Sequence, residues 1–126
     1  MKVYTKAAVI LGGLALSATT AFAASTTVTG DAHAGHHIFL THCAVCHKTD
    51  ASGGVKLGDT KSADLQSPGL EDQYHKDDAL IKRAILTGKD EEGGDLDKIM
   101  PRWKGKLTDQ QVNDVIAYLH TVKTHE

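Results

Sequence analysis

The residues best placed to do chemistry in this 126-residue chain are Cys43-Ala44-Val45-Cys46-His47, which contain its only two cysteines. Four readings compete for them. A structural disulfide here would close a tiny loop and restrain little of the unfolded chain. A thioredoxin-like redox pair needs a strand before it and a βαβ unit around it, whereas the flanking residues read as helix. Zinc would need two more ligands at suitable spacing, and there is no second cysteine pair. The fourth reading is covalent haem attachment, for which C-x-x-C-H is the signature. Two thiols add across two vinyl groups, and the adjacent imidazole reaches the iron from the same helical turn. That chemistry needs these residue types in this order.

Other candidate groups are weaker. His33, His36 and His37 stand at i, i+3 and i+4 and share a helix face, but they lack a clear fourth ligand for a metal site. The acidic residues Asp90, Glu91, Glu92, Asp95 and Asp97 do not follow the spacing of an EF-hand calcium loop and read as solvated surface. Met100 begins Met100-Pro101-Arg102-Trp103, and Met1 is the only other methionine.

The elements that position these groups are helical. Asp31 is a plausible N-cap for a helix running through Ile38 and Phe39 to the cysteines. Gly35, Phe39 and Cys43 fall four apart on one face of it. Glycine inside a helix costs about 1 kcal/mol relative to alanine, so Gly35 points to the close approach of another helix. Residues 48–67 are rich in Gly, Asp, Ser and Lys and read as a long loop that needs something to wrap. Pro68-Gly69-Leu70 ends the loop, and a short helix is expected over residues 71–74. A further helix starts near Asp77 and Asp78, carries Leu80, Ile81, Ala84 and Ile85 at helical spacing, and stops at Gly88. The last helix has Thr108 and Gln111 arranged as a capping box, and a stripe of Val112, Val115, Ile116, Leu119 and Val122 flanked by Tyr118. There is no strand pattern of any length and no internal repeat. The fold class is all-α.

At the start of the chain, Lys2 and Lys6 precede an apolar run from Ala7 to Leu16, and Ala21-Phe22-Ala23 follows. This is the pattern of a secretory signal peptide over residues 1–23, with a retained membrane anchor as the alternative. Residues 24–30 are expected to form a flexible mature N-terminus, and residues 31–126 one domain. Removing Lys2 and Lys6 leaves twelve basic side chains against sixteen acidic ones, a net charge of −4. That balance argues against nucleic acid as a partner. After cleavage, no stable membrane insertion is expected, and the location would be the periplasm. The aromatics left in the mature region are Phe39, Tyr74, Trp103 and Tyr118, few for a core of this size, so another group is expected to supply apolar volume.

Taken together, residues 31–122 resemble a class I, monohaem cytochrome c of the small bacterial type. The likeness rests on Gly35 and Phe39 at eight and four residues before Cys43, on the intact Cys43–His47 motif, and on Ser67-Pro68-Gly69-Leu70. It also rests on Met100-Pro101 and on the segment from Leu107 to Leu119. The resemblance implies three main helices plus a short one around one covalent haem c, with Phe39 and Tyr118 packing where the terminal helices cross. It implies Cys43 and Cys46 as thioether anchors, and His47 and Met100 as axial iron ligands. It further implies that the Pro68 carbonyl accepts from the ring of His47. Trp103 is assigned to a haem edge or to a propionate, with plain core packing as the alternative. His75 and His120 are the rivals to Met100 as sixth ligand. The implied function is one-electron transfer between a redox donor and acceptor by a monomer or transient complex, with no catalysis. The alternatives are a haem enzyme or gas-binding sensor with a labile sixth ligand, and an electron-transfer subunit of a larger oxidoreductase.

Overall fold

A computed structural model describes residues 24–124 continuously, together with scattered positions between 12 and 21. Most of the expected leader therefore lies outside the described residues. Five helices and one small hairpin follow in order. They are α1 (Ala32–His42), α2 (Ala44–His47), β1 (Lys56–Leu57), β2 (Thr60–Lys61), α3 (Gly69–Gln73), α4 (Asp78–Thr87) and α5 (Asp109–Leu119). The all-α expectation holds, with α1, α4 and α5 as the main helices. The long loop contains a feature the sequence pattern did not show, an antiparallel hairpin pairing Lys56 with Lys61 and Leu57 with Thr60. Gly58 sits in its turn at φ 64°.

Each main helix begins where its cap residue stands. The Asp31 carboxylate accepts from the amides of His33 and Ala34 at 2.8 and 3.2 Å. Asp77 accepts from Ala79 at 3.0 Å. Thr108 and Gln111 close a reciprocal capping box, each side chain accepting from the other residue's amide. These bonds satisfy amides that helical geometry leaves without partners. Gly88 ends α4 in the left-handed conformation, at φ 68°.

Helix α1 packs on α5, and Gly35 is the reason the two can meet. A Cβ at position 35 would collide with the Asp114 backbone carbonyl. Phe39 is fully buried at this junction, its ring 5.3 Å from that of Tyr118. Val112 and Ile116 are the other large side chains buried completely. Beneath them Leu70, Tyr74, Ile81 and Ala84 from α3 and α4 extend the core.

Residues 24–30, expected to form the mature N-terminus, make three hydrogen bonds with the start of α4. The Thr26 amide donates to Asp77 at 3.2 Å, the Thr26 carbonyl accepts from the Asp78 amide at 2.7 Å, and the Val28 amide donates to the Asp78 carboxylate at 2.9 Å. The segment is laid along the start of α4 because that helix end offers two carboxylates. Among the described residues, no helix is long and apolar enough to cross a membrane.

Candidate functional site

Helix α1 ends at His42, and after Cys43 the chain resumes as the single turn α2. The amides of Cys46 and His47 both donate to the Cys43 carbonyl, at 3.1 and 2.9 Å, which fixes the spacing of the motif. Cys43, Cys46 and His47 thereby face one cavity. Met100, Pro101 and Trp103 also line it, with Leu57, Leu96 and Ile99. A second, adjoining cavity shares Cys43, His47, Ala63, Leu96, Met100 and Trp103, and reaches inward to Phe39, Leu70 and Leu119. The two hold about 730 and about 740 Å³ of empty space, counting their open mouths. Mainly apolar walls with few polar groups are the form of a small-molecule or cofactor site.

Burial pushes the Cys43 thiol up to about 11, with the neighbouring Cys46 adding to the effect. A redox-active Cys-x-x-Cys pair depends on a thiol lowered into the thiolate range. Cys43 has the reverse environment, which speaks against the thioredoxin-like reading. His47 is buried, and desolvation lowers its pKa while a hydrogen bond to a backbone carbonyl opposes that shift. Its Nδ1 lies 2.9 Å from the carbonyl oxygen of Ala63. A carbonyl can only accept, so Nδ1 carries the proton and Nε2 keeps its lone pair for a metal.

The residue that orients this imidazole was expected to be Pro68 and is Ala63. The Pro68 carbonyl instead accepts from the Asp72 amide at 3.0 Å, starting α3. The chain brings Ala63 back by a close approach at Gly53, where a Cβ would strike the Ala63 carbonyl. The Gly53 amide also donates to the His47 carbonyl at 2.9 Å, and Gly53 sits at φ 61°. The Gly53-Gly54 pair in the sequence is the signal that such an approach exists, though it does not name the carbonyl.

Met100 is half-buried and lines the same cavity as His47. Its loop is anchored to the end of α4. The amides of Trp103 and Lys104 donate to the Ile85 and Leu86 carbonyls at 3.1 and 3.0 Å, and the Leu96 amide donates to Gly88 at 2.8 Å. Trp103 lines both cavities and meets His42 edge-on, with ring centroids 5.2 Å apart.

Neither rival histidine reaches this place. His75 is exposed, and His120 is held on another face between Glu71 at 2.7 Å and Asp78 at 2.8 Å. His33 meets His37 edge-on, His36 lies against His37 and Tyr118, and among the described residues no group of three or more His, Cys, Asp or Glu side chains is arranged to hold a metal. The acidic segment is more than solvated surface. The Asp90 carboxylate accepts from the amides of Glu92 and Gly94, and Arg83 donates to the Asp90 and Glu91 carbonyls.

The donor set fits a haem: two thiols, an imidazole and a thioether line one mainly apolar space. Comparison with known proteins gives the same answer. The family model described as cytochrome c matches residues 32–123. The chain is 34% identical over 102 residues to cytochrome c2 of Rhodopila globiformis, covering 75% of this chain and 95% of that protein. It is 34% identical over 92 residues to cytochrome c-555 of Chlorobaculum tepidum, covering 71% and 74%. It is also 29% identical over 96 residues to the cbb3-type cytochrome c oxidase subunit FixPc of Rhizobium leguminosarum bv. viciae, where the match covers 74% of this chain and 28% of that protein. The cavity with its thiols, imidazole and thioether, and these likenesses along most of the chain, place it in the cytochrome c family, with a covalently bound haem c as its cofactor.

Proposed function

We propose that the chain is a periplasmic one-electron carrier whose haem c is bonded to Cys43 and Cys46 and ligated by His47 and Met100. The observation that carries this reading is the convergence of those four side chains, from the α1–α2 junction, α2 and the loop after α4, on a single apolar cavity. Bound there, a haem supplies an iron that alternates between the ferrous and ferric states. The chain's own residues set the conditions. His47 is fixed as a neutral donor by Ala63. A thioether at Met100 is a soft donor and raises the potential relative to a second imidazole. Leu70, Leu96 and Trp103 give the cavity apolar walls, which favour the less charged, reduced state. His47 and Met100 would together hold the iron of a bound haem and leave a substrate no position on it, which supports electron transfer without catalysis.

Export supports the same reading, because residues 1–23 have the form of a signal peptide. The donor and acceptor are redox proteins that dock transiently. A second reading follows from the FixP likeness. The chain spans only 28% of that oxidase subunit, so the same module can serve as the electron-transfer part of a larger oxidoreductase. Size-exclusion of the native extract separates the two, since a carrier elutes near its own mass and a subunit with its complex. For ligation, the oxidised protein is expected to show the weak near-infrared sulfur-to-iron band, and the reduced protein to resist carbon monoxide. Absence of the band together with rapid carbon monoxide binding overturns the Met100 assignment and favours a sensor or enzyme.

A further inference from the structure

We propose that Arg102 is the positioning residue for the sixth ligand, its guanidinium acting as a fork that holds the Met100 loop closed over the cavity. The inference rests on the reading of Met100 as an iron ligand. One guanidinium donates to three backbone carbonyls of one short loop: Nη1 to Met100 at 2.7 Å and to Asp97 at 3.1 Å, and Nη2 to Leu96 at 2.8 Å. Those carbonyls bracket the turn that carries the thioether. Asp97 closes the same turn, its carbonyl accepting from the Met100 amide at 3.2 Å and its carboxylate from the Ile99 amide at 3.0 Å. The bond to the carbonyl of Met100 itself is the shortest of the three and acts on the residue whose side chain must stay in place.

The seat of the guanidinium is moulded into the fold. It lies against Gly88, where a Cβ would collide with the Arg102 Nε and Cζ atoms. Gly88 is therefore required twice, once for its left-handed φ and once for this contact. Gly88 is also the C-terminal cap of α4, so a fixed positive charge sits where the helix dipole favours one. Charge-assisted bonds of this kind are about twice as strong as neutral ones, and the planar fork places its donors with little loss of freedom. Lysine offers a single point charge at that place and cannot span the three carbonyls.

A methionine ligand must leave the iron before an outside ligand can bind, so the rate at which imidazole binds the ferric holoprotein reads the opening of this loop. In Arg102→Gln the rate is expected to rise at least about tenfold, consistent with losing even one charge-assisted bond. The near-infrared sulfur-to-iron band should weaken as well, while helix content stays that of the parent. Arg102→Lys, the milder variant, should lie nearer to Arg102→Gln than to the parent. In a Met100→Ala background the Arg102→Gln change should leave the imidazole rate unaltered, because no ligand remains to be released. Parent-like imidazole rates in both Arg102 variants, in a protein that shows the band, overturn the role of Arg102 and leave Met100 ligation standing. Equal acceleration with and without Met100 overturns it too. A parent protein without the band removes the Met100 reading itself, whichever way the Arg102 variants behave.

Discussion

At the scale of single residues, the site depends on glycines that let backbone come close. Gly53 is the clearest, because its missing side chain admits the Ala63 carbonyl that orients His47. Gly53→Ala adds a Cβ in a left-handed residue and against that oxygen, and should cost about 1–3 kcal/mol of stability. It should also disturb the imidazole, seen as a shifted potential in a redox titration. A change in melting temperature with an unmoved potential would mean that the carbonyl does not govern the ligand. Gly35→Val places bulk against the Asp114 carbonyl and should lower stability by about 1–3 kcal/mol through overpacking, read by thermal unfolding. The sequence showed the Gly35 contact because glycine at helical spacing from Phe39 has no local reason to be there. It could not show Ala63, since any residue has a carbonyl and only the folded loop decides which one arrives.

At the scale of elements, helix starts and stops were legible because caps act within three or four residues: Asp31, Asp77, Thr108 and Gly88 are all where the chain pattern puts them. What holds one element to another was not legible. His120 joins α5 to the starts of both α3 and α4, through Glu71 and the buried Asp78. Burial disfavours charge on His120, but the hydrogen bond to Glu71 and the charge and hydrogen bond of Asp78 outweigh it and hold its pKa above the usual 6.5. Because the folded value is the higher one, this contribution to stability is complete below about pH 6.5 and is lost as pH rises through the raised value. Thermal unfolding across that range should therefore show a falling melting temperature. His120→Gln should flatten the fall. It should also destabilise the protein at pH 6 by roughly 1–3 kcal/mol, since buried Asp78 loses a charged donor. A parent-like slope in the variant would place the pH response elsewhere. The N-terminal segment belongs to the same cluster: Asp78 accepts from Val28 on one oxygen and faces His120 with the other.

At the scale of the whole molecule, the protein part of the core is incomplete. Phe39, Val112 and Ile116 are its only large side chains buried fully among the described residues, and Leu70, Ile81 and Leu119 border an open apolar cavity. The few aromatics in the sequence already pointed to this deficit, and the structure places the space beside the haem-attachment motif. A haem bonded at Cys43 and Cys46 would complete the core as well as carry the electron. The chain with Cys43→Ala and Cys46→Ala, purified without haem, should show reduced helical circular dichroism and rapid proteolysis. A sharp, parent-like melt would mean the fold is complete without its cofactor.

The most direct measurement is the intact mass of the denatured protein, made in a host that matures c-type haem. The mature polypeptide plus one haem is expected, and the bare polypeptide from the double cysteine variant. A parent protein that loses its haem on denaturation, or never holds one, would contradict the covalent attachment on which the account is built.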